Sequence, residues 1–183
     1  MARELGAHAD IAKETDALNR MQVKSLYAIV QSRTSHDSRV AVLGLSYKPD
    51  SDVIEESQGL MLARGLAGHG YRVSVFDPLA MDNARAELGD KVTYAPSMES
   101  CIYEADTIVI VNPDPAFRLL DISQIRNTGS RTVVVDCWRI FRDQLYGSDL
   151  IDYVGLGIGG HDESRLALLA EMWDTRTEAD QTR

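Results

Sequence analysis

The chain has 183 residues, of which 44% are hydrophobic and 26% are charged, as is ordinary for a globular protein. Its net charge of −9 argues against a nucleic-acid partner and an anionic membrane surface, because there is no basic stripe to neutralise phosphates. No apolar run approaches the roughly 20 residues that span a bilayer, and residues 1–21 lack the apolar core of a secretory signal. We therefore expect a cytoplasmic protein with reduced thiols.

The N-terminal segment is predicted to be helical. Residues 1–32 combine good helix formers with apolar side chains at spacings of three and four, and the longest part of the helix is expected near 10–32. The polar stretch SRTSHDSR at 32–39 predicts a linker. A helix outside the main domain needs a partner for its apolar face, and we expect that partner to lie outside this chain.

From Val40 onward, short apolar runs alternate with amphipathic segments, which indicates βαβ units and a parallel sheet. The expected fold class is α/β: a Rossmann-like doubly wound parallel sheet of five to six strands, order 3-2-1-4-5, preceded by a helix. The predicted parts are a helix and linker at 1–37, the sheet domain at 38–160 and a C-terminal tail at 161–183. Predicted strands are 39–47, 71–78, 92–95, 106–115, 131–141 and 153–160, and predicted helices are 60–70, 82–89 and 97–106, with 116–126 helical or turn-like.

The loop SYKPD follows the first strand, where open parallel sheets bind their ligands. A dinucleotide fingerprint, G-x-G-x-x-G, would need glycines at 46 and 49, where the chain has Ser46 and Pro49. The acidic residue that would bind the ribose, Asp77, comes 33 residues after Gly44 rather than about 20. The sequence thus argues against a standard NAD site and leaves Lys48 either as a point charge for a phosphate or carboxylate, or as a solvated surface lysine.

Three segments carry a resemblance to a known family: GLSYKPDSDVIEESQGLMLARGLAGHGYRVSVFDPLA, TVVVDCWRIF and ETDALNRMQ. They resemble, in consistent order over roughly residues 1–160, the C-terminal domain and central dimerisation helix of the UDP-glucose/GDP-mannose dehydrogenase family. Enzymes of this family oxidise the C6 alcohol of a nucleotide sugar twice, with two NAD, to give a uronate. Their N-terminal domain binds NAD and supplies the nucleophilic cysteine.

The resemblance implies that this chain is the nucleotide-sugar-binding portion of such an enzyme, with residues 1–37 as a partial dimerisation helix. The sequence has neither the glycine fingerprint nor the cysteine motif of the N-terminal domain. We therefore expect a UDP-hexose as ligand, the missing NAD domain as partner, a homodimer through the N-terminal helix, and no activity or tight NAD binding by this chain alone. Uracil is favoured over guanine on family frequency. The alternative is a free-standing nucleotide-binding or regulatory module that has lost the chemistry.

The resemblance also assigns candidate site residues. Tyr47 and Lys48 match family positions that contact the nucleotide sugar, and Arg139 matches the arginine of the family's D-G-R segment, which also contacts substrate. Three departures stand out. Val53 stands where the family usually has its second aspartate. Glu55 replaces an arginine that reaches the cofactor's phosphates, and an anion beside a pyrophosphate is unfavourable, so no cofactor-binding residue is assigned. Cys137 stands where a glycine precedes the arginine.

The remaining reactive residues have no catalytic or metal role predicted for them. Cys101 and Cys137 show neither a CxxC pair nor metal-ligand spacing, and both are expected to be buried structural cysteines. The Asp-Pro pair at 77–78 predicts a strand-ending turn. GLGIGG at 155–160 lacks the Lys-Ser/Thr ending of a P-loop, so a strand and turn are favoured. For Trp138, packing is favoured over a place in the nucleotide pocket.

Overall fold

The computed structural model describes residues 10–125 and 131–157. They form a six-stranded, all-parallel sheet in the order β3-β2-β1-β4-β5-β6, so the predicted α/β class and strand order are confirmed, with β6 added beside β5. The helices are α1 (Asp10–Arg33), α2 (Gln58–Gly68), α3 (Met81–Leu88), α4 (Met98–Ile102) and α5 (Arg142–Leu145). The strands are β1 (Arg39–Leu43), β2 (Arg72–Phe76), β3 (Thr93–Tyr94), β4 (Thr107–Ile110), β5 (Thr132–Asp136) and β6 (Ile151–Gly155).

The sheet separates two hydrophobic cores. Because side chains alternate along a strand, Val40 and Val42 of β1 pack in the core beneath α1 and α2, whereas Ala41 and Leu43 pack in the core on the α4 side. All four side chains are fully buried. Burial on both faces explains why the strand has a continuous apolar run rather than an alternating pattern.

Helix α1 is divided between packed and exposed halves. Its C-terminal half packs on α2, with Leu26 and Val30 buried, and Arg33 pairs with Asp152 at 2.6 Å. The apolar side chains of the N-terminal half, Ile11, Leu18 and Met21, are 86%, 51% and 58% exposed. The sheet domain therefore covers the C-terminal half of α1, and this half needs no partner from outside the chain.

Several predicted bounds differ from the observed ones. The predicted strand 131–141 ends at Asp136, because its buried carboxylate accepts backbone N–H groups from Trp138 at 3.2 Å and Phe141 at 2.9 Å and turns the chain. The short helix α5 that follows was not predicted. Where the sequence predicts a helical or turn-like segment at 116–126, the described residues form two short 3₁₀ helices, Pro115–Leu119 and Ile122–Gln124. The predicted tail, 161–183, lies outside the described residues.

Asp77 forms the predicted turn after β2 and also joins two loops. Its Oδ1 accepts the N–H groups of Leu79 and Ala80, at 3.0 and 2.9 Å, which closes the turn. Its Oδ2 accepts the N–H groups of Leu45 and Ser46, at 2.7 and 2.9 Å, from the loop after β1. Since Asp77 is only 2% exposed, these bonds replace the hydration that its carboxylate loses on burial.

We expect Asp77→Asn to lower the free energy of unfolding by about 2–4 kcal/mol, because an amide nitrogen cannot accept an N–H and leaves buried donors unpaired. Urea unfolding measures the change. Asp82→Asn is the matched control, since the Asp82 side chain is 99% exposed and lies 3.8 Å from Arg85; we expect a change within about 0.5 kcal/mol. Equal stability of the two variants would contradict this role for Asp77.

Candidate functional site

A cleft of about 410 Å³ lies at the carboxyl ends of β1, β4 and β5, against the middle of α1. Three walls come from sheet-end loops and the start of α2, and the fourth comes from α1. The lining residues are Asn19, Gln22, Leu26, Ser46, Tyr47, Lys48, Pro49, Glu56, Gln58, Gly59, Val111, Asn112, Pro113, Cys137, Trp138 and Leu156. This cleft therefore lies where ligands of open α/β folds bind.

The base of the cleft is fixed by a close approach between β1 and α2. A Cβ built on Gly59 would lie 1.9 Å from the carbonyl oxygen of Gly44, so only glycine fits at position 59. Gly44 itself has φ +98°, and a Cβ there would lie 2.7 Å from the Asn112 side chain. The Asn112 amide donates to Ser46 Oγ at 2.9 Å, which fastens the loop to the end of β4.

The loop after β1 presents Tyr47 and Lys48 to the cleft, as the sequence predicts for a ligand-binding loop. Both side chains are exposed, and the N–H of Tyr47 donates to Val53 O at 2.7 Å, which closes the loop. The ammonium of Lys48 has no salt-bridge partner among the described residues.

The first amide donors of the loop after β1 are used within the protein. Phosphate loops bind a pyrophosphate through free backbone N–H groups at the first strand-to-helix turn. Here the N–H groups of Leu45 and Ser46 are donated to the Asp77 carboxylate, and Pro49 has none. The loop thus lacks the glycine fingerprint, and its first amide donors are already hydrogen-bonded. We therefore assign no NAD-binding role to this loop.

The segment after β5 places Trp138, not Arg139, in the cleft. Trp138 is 57% exposed and lines the cleft, so the prediction that it mainly serves packing is wrong. The Arg139 side chain is absent from the lining, and its Nη1 lies 3.7 Å from the position a Cβ would take on Gly157. Strands β1 and β5 are separated by β4 alone, as the predicted order requires.

Four further polar side chains, which no sequence motif indicates, line the cleft. Asn19 and Gln22 come from α1, Asn112 follows β4, and Glu56 precedes α2. Glu55, the residue singled out as a departure from the family pattern, is exposed and does not line the cleft. Of these residues, Asn112 was predictable, because it lies just beyond the end of β4, a strand that neighbours β1. The positions of Asn19 and Gln22 in the cleft depend on how α1 packs on the domain, and no local sequence pattern predicts that packing.

Cys101 is buried, as the sequence predicts, whereas Cys137 is only partly buried and lines the cleft. Burial raises the pKa of Cys101 to about 12, and burial together with the Asp136 carboxylate raises the pKa of Cys137 to about 12. Burial, followed by the contact with Asp136, also raises the pKa of Tyr153. Over residues 10–125 and 131–157, no group of three His, Cys, Asp or Glu is placed to hold a metal ion, and none of the helices there could cross a membrane.

The sheet order and the polar cleft at its carboxyl edge define an α/β domain of the Rossmann-like class. Residues 41–143 match the sequence model of the UDP-glucose/GDP-mannose dehydrogenase family, UDP binding domain. The chain belongs to this family, as the sequence motifs predicted. Among curated relatives, the UDP-glucose 6-dehydrogenase of Rhizobium meliloti is 32% identical over 120 residues, which are 66% of this chain and 27% of that protein.

Further relatives agree with this assignment. The UDP-glucose 6-dehydrogenase of Pseudomonas aeruginosa is 27% identical over 169 residues, covering 85% of this chain and 36% of the relative. A solved UDP-glucose dehydrogenase from Pyrobaculum islandicum superposes with a TM-score of 0.62 at 33% identity, covering 74% of this chain and 30% of that one. The chain thus spans about a third or less of the length of these relatives.

The structure also bears on the family's D-G-R segment. In that pattern the arginine comes two positions after the aspartate. Counted from Asp136, that position is Trp138, and Arg139 follows one residue later. The structure accordingly brings Tyr47, Lys48 and Trp138 together in one cleft and leaves the Arg139 side chain beside Gly157.

We expect both thiols of the folded protein to react with a disulfide reagent such as DTNB about a thousandfold more slowly than free cysteine at pH 8. The thiolate is the nucleophile, and raising a thiol pKa from its ordinary value of 9.0 to about 12 lowers the thiolate fraction by that factor. The reaction should stay slow up to pH 9.5, and both thiols should react fully in urea. Rapid labelling of the native protein, traced with Cys101→Ser and Cys137→Ser, would contradict the assignment.

Proposed function

We propose that this chain is the nucleotide-sugar-binding portion of an NAD-dependent nucleotide-sugar 6-dehydrogenase that oxidises a UDP-hexose to the UDP-uronate. The observation that carries the proposal is Lys48, a cation in the cleft at the carboxyl end of β1 that forms no ion pair with any described residue. Family membership over residues 41–143 supports the ligand class, because the matched unit is described as the UDP binding domain. A UDP-hexose is an anion, so a cation that the protein does not neutralise itself is the expected contact.

The electrostatics of the cleft favour a diphosphate near its α2 wall. The N-terminus of α2 lies at the lining residues Gln58 and Gly59, where the helix dipole adds partial positive charge beside Lys48. Glu56 lines the same cleft and repels an anion that approaches it. The diphosphate is therefore proposed to lie on the Lys48 side, with the Tyr47 hydroxyl as a further hydrogen-bonding group.

Arg139 is proposed as a contact from the rim of the cleft. Its guanidinium is exposed, beyond the end of β5, and long side chains of the residues that follow β1 and β5 can converge on one diphosphate. Its backbone has φ +59°, in the left-handed region, which directs the chain sharply after Trp138. An arginine at this place requires a change of rotamer to reach the ligand, whereas Lys48 is already in the cleft.

The chemical groups of the reaction are proposed to lie on an NAD domain, where hydride passes from C6 of the sugar to the cofactor. This chain orients the nucleotide end and shields it from water. Tyr47, Val53 and Leu79, on the loops after β1 and β2, are 60%, 50% and 56% exposed and offer an apolar surface to that domain. A cytoplasmic location is proposed on the same ground, because the expected substrate and NAD are cytoplasmic metabolites.

A free-standing nucleotide-binding or regulatory module is the second candidate. Glu56 in the cleft favours it, together with Glu55 at the place of the family's cofactor-contacting arginine. Such a module would bind nucleotide in the same cleft without an NAD domain. Reconstitution of NADH formation by addition of a separate NAD domain distinguishes the two candidates.

The exposed half of α1 is proposed as the contact surface of a homodimer. Ile11, Leu18 and Met21 recur at spacings of seven and three and form a stripe along one side of the helix. A second copy of the same helix offers the same stripe, so that each covers the other in a symmetric contact. The expected dimer is weak, because the stripe is short.

We expect UDP and UDP-glucose to bind with a dissociation constant on the order of 0.1–1 mM, because Lys48 is the single cation among the described residues that line the cleft and Glu56 opposes an anion there. Lys48→Ala and Arg139→Ala should each weaken binding about 5- to 150-fold, the equivalent of a lost charged hydrogen bond of about 1–3 kcal/mol. NMR titration measures both affinities, and the shifted resonances should include residues 46–49. Lys91→Ala is the control, because Lys91 is a cation outside the cleft.

Shifts that are unchanged by both substitutions, or that cluster at 89–91, outside the cleft, instead of at 46–49, would place the nucleotide elsewhere. An unchanged affinity in Arg139→Ala alone, with a loss in Lys48→Ala, would remove Arg139 from the contact set and leave the cleft assignment standing.

We expect the full chain to sediment as a dimer that dissociates at low micromolar concentration, and Ile11→Gln with Leu18→Gln to make it monomeric. Replacing two apolar side chains of the stripe by amides removes the burial that drives association. Leu119→Gln is the matched control, because Leu119 is an exposed leucine, at 81%, on another part of the surface. A monomer for the unaltered chain at 100 μM would contradict the proposed homodimer.

A further inference from the structure

Trp138 is held in one orientation by hydrogen bonds at both ends. Its backbone N–H donates to Asp136 Oδ1 at 3.2 Å, and its indole Nε1–H donates to Val111 O at 2.9 Å. The indole N–H is the ring's single polar group and is already used. What remains available to a ligand is the apolar face of the ring, and turning that face away from the cleft would break the bond to Val111.

The turn that carries Trp138 is itself rigid. The Asp136 carboxylate is fully buried and also accepts the N–H of Phe141 at 2.9 Å and the hydroxyl of Tyr153 at 3.1 Å. Arg139, the next residue, has φ +59°, a conformation that a non-glycine residue adopts only where its surroundings determine it. The fold therefore uses a buried carboxylate and a left-handed residue to point a tryptophan at the cleft.

This orientation leaves a large apolar surface exposed in a polar cleft. Trp138 is 57% exposed, and none of the ring or cation–ring contacts found within the described residues covers it. A rigid aromatic face that the chain does not cover is typical of a binding surface for a flat apolar partner. Lys48, in the same cleft, provides for an anion. A nucleotide combines the two properties, a planar base and a charged phosphate.

We propose that Trp138 is a stacking platform for the nucleobase of the bound nucleotide. The inference rests on the proposed function and deepens it: Lys48 binds the diphosphate, and the indole face binds the base. Stacking depends on the π-face that every base has, so the platform accepts uracil and guanine alike and selects base-bearing ligands over inorganic diphosphate. Trp138 thereby supplies affinity at the position where the family's D-G-R pattern has a charged side chain.

Intrinsic fluorescence provides a direct test, because the sequence has only two tryptophans, Trp138 and Trp173. In a Trp173→Phe background, UDP and GDP should quench the remaining tryptophan on binding, whereas inorganic pyrophosphate at saturation should not. Trp138→Ala should weaken UDP binding about 5- to 150-fold in the NMR titration, as expected for the loss of one stacked base. Its affinity for pyrophosphate should stay the same.

Two further variants separate stacking from folding. Trp138→Phe keeps an aromatic face without the indole N–H and should bind UDP within about fivefold of the unaltered chain. Tyr146→Ala removes an aromatic ring that is 66% exposed outside the cleft and should change nothing. UDP binding unaffected by Trp138→Ala, or lost equally for UDP and pyrophosphate, would overturn the platform while the proposed function stands. Absence of any nucleotide binding to the unaltered chain would overturn both.

Discussion

The contact between Gly44 and Gly59 is the constraint on which the architecture of the cleft depends. The carbonyl oxygen at the end of β1 lies where a side chain at the start of α2 would be, so strand and helix meet backbone to backbone. This closeness brings the N-terminus of α2 to the sheet edge and gives the loop between them a fixed base. Asp77 and Asn112 then fasten the loop from the two neighbouring strands, β2 and β4. Lys48 is held at a rigid edge as a result, although its own side chain is exposed.

Most of the fold follows from local patterns. The apolar run of β1 indicates a strand buried on both faces, and alternating strands and helices leave few topologies for a parallel sheet, so the observed order 3-2-1-4-5-6 extends the predicted one. The ends of elements were less predictable. The run from Arg131 to Phe141 has the apolar composition of one long strand, yet the carboxylate of Asp136 competes for the backbone N–H groups beyond it and turns the chain. Strand propensity alone does not account for a side-chain acceptor that competes for these N–H groups.

The site was predictable in part, for a related reason. Lys48 and Tyr47 could be placed because the loop after the first strand of such a sheet has a known position. Asn19 and Gln22 could not, because their place in the cleft depends on the docking of α1 through Leu26 and Val30, a contact between distant parts of the chain. Trp138 was misjudged because large aromatic residues beside strands are usually buried, and the hydrogen bond to Val111 that keeps its ring exposed has no local sequence pattern.

The division of α1 into two halves has a thermodynamic consequence. Its 24 residues form one continuous helix about 36 Å long. Asn19 and Gln22 face the cleft. They lie within one turn of Leu18 and Met21, which face solvent. A helix transmits tilt along its length, so a partner that fixes the exposed side also fixes the width of the cleft. In a dimer of the kind proposed above, ligand affinity and subunit affinity are therefore coupled, and reciprocity requires each to change the other by the same factor. The fraction of clefts that hold ligand would then depend on the protein concentration.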